Sequence, residues 1–278
     1  MIEKGETLPD ASVIISVYNQ IGFLRSVLAG FEIQTFRNFE VIISDDGSNQ
    51  EFGTELTEII EKSPLQIKHC WHTNEGFRKN TILNKSIQLA TSEYLIFVDG
   101  DCVPHPMFVE EHLKNASNKV CLCGRRVNLS ERISSKLTPK KIRDGQLQSL
   151  KITIQMFYDY FSIKLFHVMN GIYFKNKVLR KYFNRKERGI LGSNFSLHKS
   201  DILNINGFDE RYIKPTYGED SDVEFRLRLT GINIKTVLNI AVQYHLYHKI
   251  LPRPEENKIL YESVIRERRA YTLYGIKK

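Results

Sequence analysis

Tyr94-Leu95-Ile96-Phe97-Val98-Asp99-Gly100-Asp101 is an apolar run that stops on two carboxylates separated by one glycine. A continuous run of this kind reads as a strand buried on both faces, as a parallel sheet covered by helices requires. Toward the N-terminus two more runs share the pattern. Ser12-Val-Ile-Ile-Ser-Val17 leads into Tyr18-Asn19, and Phe39-Glu-Val-Ile-Ile-Ser44 leads into Asp45-Asp46-Gly47-Ser48. Residues 23–33 place Phe23, Leu24, Val27, Leu28 and Phe31 at helical spacing. Residues 54–62 and 81–90 also read as helices, and 65–71 as a short strand. Four βα repeats in about 100 residues predict an α/β fold with a parallel sheet and helices on both faces.

In open α/β sheets, ligands bind outside the carboxyl ends of the strands. Tyr18-Asn19, Asp45-Asp46 and Asp99/Asp101 each close a predicted strand, so the topology sets all three on one edge. A single Asp-Gly is an ordinary turn. Three polar clusters on the same edge read better as a binding site.

The chain has 278 residues, 41% hydrophobic and 26% charged, enough apolar surface for a sizeable core. No stretch approaches the roughly 20 uncharged apolar residues of a membrane span, and residues 1–10 contain no apolar signal core. The four cysteines form no disulfide framework, and Cys121-x-Cys123 lies in an apolar run without zinc-ligand spacing. A cytoplasmic chain with reduced thiols is expected. The net charge of +8 is unevenly spread: residues 125–188 hold 16 Lys/Arg against 4 Asp/Glu, a net of +12 that leaves −4 for the remainder. Such a segment attracts nucleic acid, anionic lipid or phosphorylated substrates. Nucleic acid is the least favoured of these, because the Phe and Tyr residues form no stacking motif.

Beyond Pro104, residues 120–127 read as one strand and 132–186 as a long, basic, mostly helical segment. Within it Ile154, Phe157, Phe161, Leu165 and Val168 recur at helical spacing, predicting one apolar face. Residues 190–197 read as a strand, and 199–206 as a helix closed by Gly207. Residues 220–230 read as a helix with acidic residues at its start and Gly231 past its end. A last strand is expected at 240–247, then a Pro252/Pro254 break and a helix over 255–271.

Two hard oxygen ligands flanking a small residue, as in Asp99-Gly100-Asp101, suit one divalent cation with coordination sites left open. A cation there would neutralise charge on a leaving diphosphate. With the preceding Ser12 to Asn19 and Gln34-Thr35-Phe36 leading to Phe39 to Ser48, this stretch resembles the family 2 glycosyltransferases of the GT-A fold. Gly192-Ser-Asn-Phe-Ser196, Asn206-Gly-Phe-Asp-Glu210 and Tyr217-Gly-Glu-Asp-Ser-Asp222, with Arg226 and Arg228, are similar to the C-terminal half of galactosyltransferase-type enzymes.

The resemblance implies roles. Ser16 and Tyr18 match positions lining a nucleoside pocket, and Asp46, with Asp45 beside it, matches the carboxylate that pairs with a uracil imide. Asp99 and Asp101 match metal- and ribose-binding aspartates. His245 matches a third metal ligand, with His248 a close competitor, and Mn²⁺ or Mg²⁺ is the implied cofactor. Asp220 matches the general base, while Glu219 and Tyr217 fall where an acceptor sugar binds. The family often carries Arg-Asn where this chain has Leu83-Asn84, so Arg78, with Lys79 next to it, is expected to supply the cation facing the diphosphate.

The expected organisation is a single GT-A domain. Its nucleotide-sugar half spans 1–125, a basic helical insertion 126–190, an acceptor and catalytic-base half 191–250, and a helical tail 251–278. The implied activity is inverting, metal-dependent sugar transfer from a nucleotide-sugar donor, UDP-linked, to a glycan or lipid-linked glycan in surface polysaccharide synthesis. Its expected place is the cytoplasm, with the basic segment meeting the inner face of an anionic membrane. The alternative is a nucleotidyltransferase making a nucleotide sugar. That reaction calls for a Gly-rich, basic loop after the first strand, and Tyr18-Asn-Gln-Ile-Gly22 lacks one.

Overall fold

A computed structural model describes residues 8–163, 167–249 and 254–278. The first half follows the expected order: β1 (Ala11–Val17), α1 (Ile21–Glu32), β2 (Phe39–Asp45), α2 (Gln50–Lys62), β3 (Gln66–Trp71), α3 (Lys79–Leu89) and β4 (Tyr94–Asp99). β1 pairs in parallel with β2 and with β4, setting Val17 opposite Asp45 and Ser16 opposite Asp99. The strand ends therefore share one edge, as the pattern required.

The next elements are β5 (Cys102–Pro104), α4 (Phe108–Asn115), β6 (Val120–Cys123) and β7 (Arg125–Asn128). The basic segment follows as α5 (Glu131–Ser134), α6 (Pro139–Arg143), α7 (Leu150–Ile163) and α8 (Lys177–Phe183), with 3-10 turns at Gln146–Gln148 and Val168–Gly171. The chain then forms β8 (Asn194–His198), α9 (Lys199–Asn204), α10 (Glu219–Leu229), β9 (Asn233–Thr236), β10 (Val242–His245) and α11 (Glu255–Glu267). Seven strands make the main sheet in the order β3-β2-β1-β4-β8-β6-β9, and β5-β10-β7 make a small second sheet. β8 runs antiparallel to β4 and β6, so the main sheet is mostly parallel.

Alternation along β1 divides the core between the two faces. Val13 and Ile15 join Leu24, Val27, Phe31, Phe52 and Leu56 of α1 and α2. Ile14 faces the other way, among Leu83 and Ile87 of α3 and Val223 and Leu227 of α10. Helices thus cover both faces of the sheet. The four cysteines are unpaired. No helix among the described residues is long and apolar enough to cross a membrane.

Several expected elements differ in detail. The strand expected over 120–127 breaks at Gly124, with β6 staying in the main sheet and β7 entering the small one. A Cβ at Gly124 would lie 2.3 Å from the Asn194 amide. That amide donates to the carbonyls of Arg125 and Ala241 and ties the two sheets together. β5 and β9, three and four residues long, carry too little pattern to be read from sequence. The final helix stops at Glu267, where Arg268 takes a left-handed φ of 50°. In α7 the buried face is Ile152, Met156 and Asp159, whereas Ile154 and Phe161 are exposed. Asp159 is drawn inward by Ser130 Oγ and Arg132, while of the expected face Phe157 packs against the core and Val168 is buried. Leu165 and Pro252 lie outside the described residues.

Candidate active site

Ser16, at the end of β1, donates from Oγ to Asp99 Oδ1 at 2.9 Å. The Gly100 N–H bonds the Ser16 carbonyl, and a Cβ at Gly100 would sit 2.6 Å from Val17 Cγ1. Only glycine allows the chain to pass so close to β1 between the two aspartates. Asp101 then leads into β5, against which β10 returns antiparallel, and the Leu246 N–H bonds the Asp101 carbonyl at 2.9 Å.

This return brings both histidines of Tyr-His-Leu-Tyr-His to Asp101. Asp101 Oδ2 lies 3.0 Å from His248 Nε2 and 3.4 Å from His245 Nε2, and the two Nε2 atoms are 3.0 Å apart. Ligand bonds of about 2.1 Å meeting near a right angle place their donor atoms about 3 Å apart, so one carboxylate oxygen and two imidazoles at these separations fit a single divalent cation. Burial would push the Asp101 carboxyl up, but bonds from His245 and His248 hold it well below the usual range. The Asp101 bond in turn raises His248, which stays partly exposed. His248 is thus as much part of the cluster as His245. Asp99 meets Ser16, Lys79 and Arg126, and with Asp101 and Cys102 it forms a second group of neighbouring ligand atoms.

Of the Arg78-Lys79 pair expected near the diphosphate, Lys79 lines the cavity. Arg78 spends its backbone N–H on Asp46, and its guanidinium reaches the Thr73 carbonyl and Glu75. Lys79, the first residue of α3, puts Nζ 2.9 Å from Asp99 Oδ1, and Arg126 Nη1 is 3.6 Å from Asp99 Oδ2. Burial would lower the Lys79 pKa, yet Asp99 and Glu219 raise it above the usual lysine range. Lys79 is charged. The sequence signal for Lys79 was its place beside Arg78; for Arg126 there was none.

On the nucleoside side, Tyr18 is half exposed and its hydroxyl accepts from Asn74 Nδ2. Asn19, at a left-handed φ of 49°, donates its N–H to Ser48 Oγ and accepts from the Asn49 N–H, joining the loops after β1 and β2. Asp46 is nearly buried between His72 Nε2, at 2.8 Å, and the Arg78 N–H; burial raises its pKa. Asp45, expected beside Asp46 at the donor, is engaged within the protein. It is fully buried, accepting the Ser48 N–H and meeting His69 Nε2 at 3.0 Å, and so shapes the turn.

Opposite this edge stands the start of α10. Gly218, at φ 100°, packs where a Cβ would fall 2.7 Å from the Tyr212 ring. Glu219 and Asp220 follow in the first turn and line a small cavity with Ser16, Lys79, Leu83, Gly192 and Phe208. Asp220 accepts the Gly192 N–H at 3.2 Å and the Ser221 N–H at 2.8 Å. Burial pushes the Glu219 carboxyl up, and its Oε2 has no hydrogen-bond partner among the described residues. Asp222 belongs to the scaffold: it pairs with Arg226, both fully buried, and Arg226 also donates to the carbonyls of Ile205 and Gly207. Asn84 holds the same loop by exchanging hydrogen bonds with the Phe208 backbone. Tyr217 packs edge-on against Tyr261 of α11, whose Asn257 donates to the Tyr217 carbonyl.

Residues 12–183 match the family described as Glycosyl transferase family 2, and residues 175–249 match the N-terminal domain of galactosyltransferase. The chain belongs to glycosyl transferase family 2. This family 2 chain is 26% identical over 250 residues to the chondroitin synthase of Escherichia coli, covering 84% of this chain and 34% of that protein. It is also 26% identical over 246 residues to the validoxylamine A glucosyltransferase of Streptomyces hygroscopicus subsp. jinggangensis, covering 81% and 53% respectively. It therefore spans between a third and about half of these relatives' lengths. S. aureus TarS in complex with UDP-GlcNAc superposes with a TM-score of 0.57 at 18% identity, over 93% of this chain and 65% of that one. The mannosyltransferase PcManGT from Pyrobaculum calidifontis, in complex with GDP-Man and Mn²⁺, gives 0.56 at 15% identity, over 87% and 58%. The fold is GT-A.

Proposed function

We propose that this chain is an inverting, divalent-metal-dependent glycosyltransferase that moves a sugar from a UDP-linked donor to a glycan or lipid-linked glycan in surface polysaccharide synthesis, at the inner face of a membrane. The observation that carries the reading is the convergence around one small cavity: Ser16 and Lys79 on one side, Glu219 and Asp220 on the other. The Asp101, His245 and His248 cluster lies along the same strand edge.

In this reading residues 1–125 bind the donor and 191–250 carry the base and the acceptor site, flanked by the insertion at 126–190 and the tail at 251–278. Asp101, His245 and His248 would hold Mn²⁺ or Mg²⁺, which supplies Lewis-acid neutralisation of the diphosphate when bound. Tyr18 and Asp46 frame the nucleoside. Lys79 offers its charged Nζ to the leaving diphosphate, a preorganised charge in a largely buried site. Asp220 takes the proton of the acceptor hydroxyl. Two N–H donors, from Gly192 and Ser221, fix the orientation of its carboxylate. Tyr217 and Glu219 border the acceptor. One base opposite one leaving group gives direct displacement with inversion.

Calorimetry of UDP, GDP and ADP, each with Mn²⁺ and with excess chelator, tests the reading on the wild type and on Asp101→Ala. UDP is expected to bind most tightly, only with metal, and weakly to the variant. Tighter GDP binding would remove the uracil assignment, and full UDP binding in chelator would remove the metal.

A further inference from the structure

α7 is a 14-residue helix packed on one side only. Ile152 and Met156 enter the core, while Leu150, Ile154, Tyr158 and Phe161 form an outward stripe with 73, 59, 60 and 79% of their surfaces exposed. An apolar stripe this long on a helix is unusual for a face in water alone.

The charges around it select the occupant. The one acidic residue of α7, Asp159, is buried against Ser130 and Arg132. Arg132 extends its guanidinium over the Tyr158 ring, and Lys151 stands exposed beside Leu150. Part of the +12 of residues 125–188 is internally matched, since Arg143 pairs with Glu32 and Arg180 with Glu111. Lys151, Lys175, Lys177, Lys181 and Arg185 have no carboxylate partner among the described residues. α8 repeats the pattern, with no buried residue and with Val178 and Tyr182 exposed between Lys177 and Lys181. Apolar and aromatic side chains interleaved with unmatched cations suit the headgroup–acyl boundary of an anionic bilayer, where each nearby cation adds about 1 kcal/mol of attraction.

We propose that the Leu150-Ile154-Tyr158-Phe161 face of α7 docks this chain on the surface of an anionic membrane, lying in the interface plane. α7 is linked to the candidate metal cluster through α5: its Asp159 meets Ser130 at the start of α5, and the Ser134 hydroxyl of α5 accepts the Tyr247 N–H, between the two histidines. Docking would hold the chain at the surface where a lipid-linked acceptor lies; the proposal rests on the proposed function only for that purpose.

Sedimentation of the full chain with phosphatidylglycerol-containing and with pure phosphatidylcholine vesicles tests the proposal without donor or acceptor. Pelleting is expected with the anionic vesicles alone and is expected to fall with added salt. Ile154→Ser combined with Phe161→Ser should lower the partition coefficient about tenfold or more, as should Lys151→Gln combined with Lys177→Gln and Lys181→Gln. UDP calorimetry on the same variants reports on fold and donor site separately, so loss of UDP binding alone strikes the function and loss of vesicle binding alone strikes the docking face. Equal or negligible pelleting with both vesicles, or unchanged pelleting of the Ser variant, overturns the proposal. So does a solution dimer that the Ser variant converts to monomer, which would make the face a contact between copies of this chain.

Discussion

Replacing Arg226 by Met removes the one cation that faces Asp222 from inside α10. Its guanidinium makes four bonds: two to Asp222 Oδ2 at 2.8 and 2.5 Å, one to the Ile205 carbonyl at 2.8 Å and one to the Gly207 carbonyl at 2.9 Å. Both side chains of the pair are buried, and Asp222 Oδ1 has no partner among the described residues. Breaking a buried pair from one side leaves an uncompensated charge and costs about 3–5 kcal/mol. The two stripped carbonyls add about 1 kcal/mol or more each. A loss of roughly 5 kcal/mol is a large part of the stability of about 5–15 kcal/mol that a typical domain possesses.

Asp222 also gives the change a pH signature. Burial raises its carboxyl above the ordinary value even beside Arg226. The native state then binds more protons than the unfolded state between the two values, so its stability falls as pH rises through that window. Without Arg226 the window extends upward, and Arg226→Met should be less damaging near about pH 5 than near about pH 8. Urea unfolding followed by circular dichroism at both pH values measures this. Arg226→Met with Asp222→Asn should recover about 2 kcal/mol over the single variant, because the double change leaves no buried charge. A loss under about 1 kcal/mol, or a double variant weaker than the single one, would refute the reasoning.

Two further outcomes follow from the site. Asp220→Asn should lower kcat by roughly 100-fold or more with UDP affinity nearly unchanged, in steady-state kinetics and calorimetry; wild-type turnover would make the residue structural. Lys79→Gln should weaken UDP binding by about tenfold and uridine binding little, whereas Arg78→Gln should leave both nearly unaffected, since a charge-assisted bond is worth about 1.5–3 kcal/mol. The reverse ranking in calorimetry would return the diphosphate cation to Arg78.

The order of strands and helices in the first 100 residues, their parallel pairing and the shared edge of Ser16, Asp46 and Asp99 were all legible in the sequence, because buried strands announce themselves by local apolar runs and parallel strands need crossovers. So was the acidic start of α10, a local helix-terminus pattern. The tertiary structure decided what local pattern cannot carry. Gly124 ends a strand because Asn194, 70 residues on, occupies the space a side chain would need. Asp45 and Asp46 are neighbours of the same type, yet Asp45 is consumed by Ser48 and His69 while Asp46 meets His72 and Arg78. Lys79 rather than Arg78 reaches Asp99, since α3 turns one side chain toward the cavity and its neighbour toward Glu75. His245 and His248 meet Asp101 only because β10 returns along β5, a pairing across more than 140 residues. Periodicity reports burial along one element, and it is silent on which of two like residues a distant element will meet.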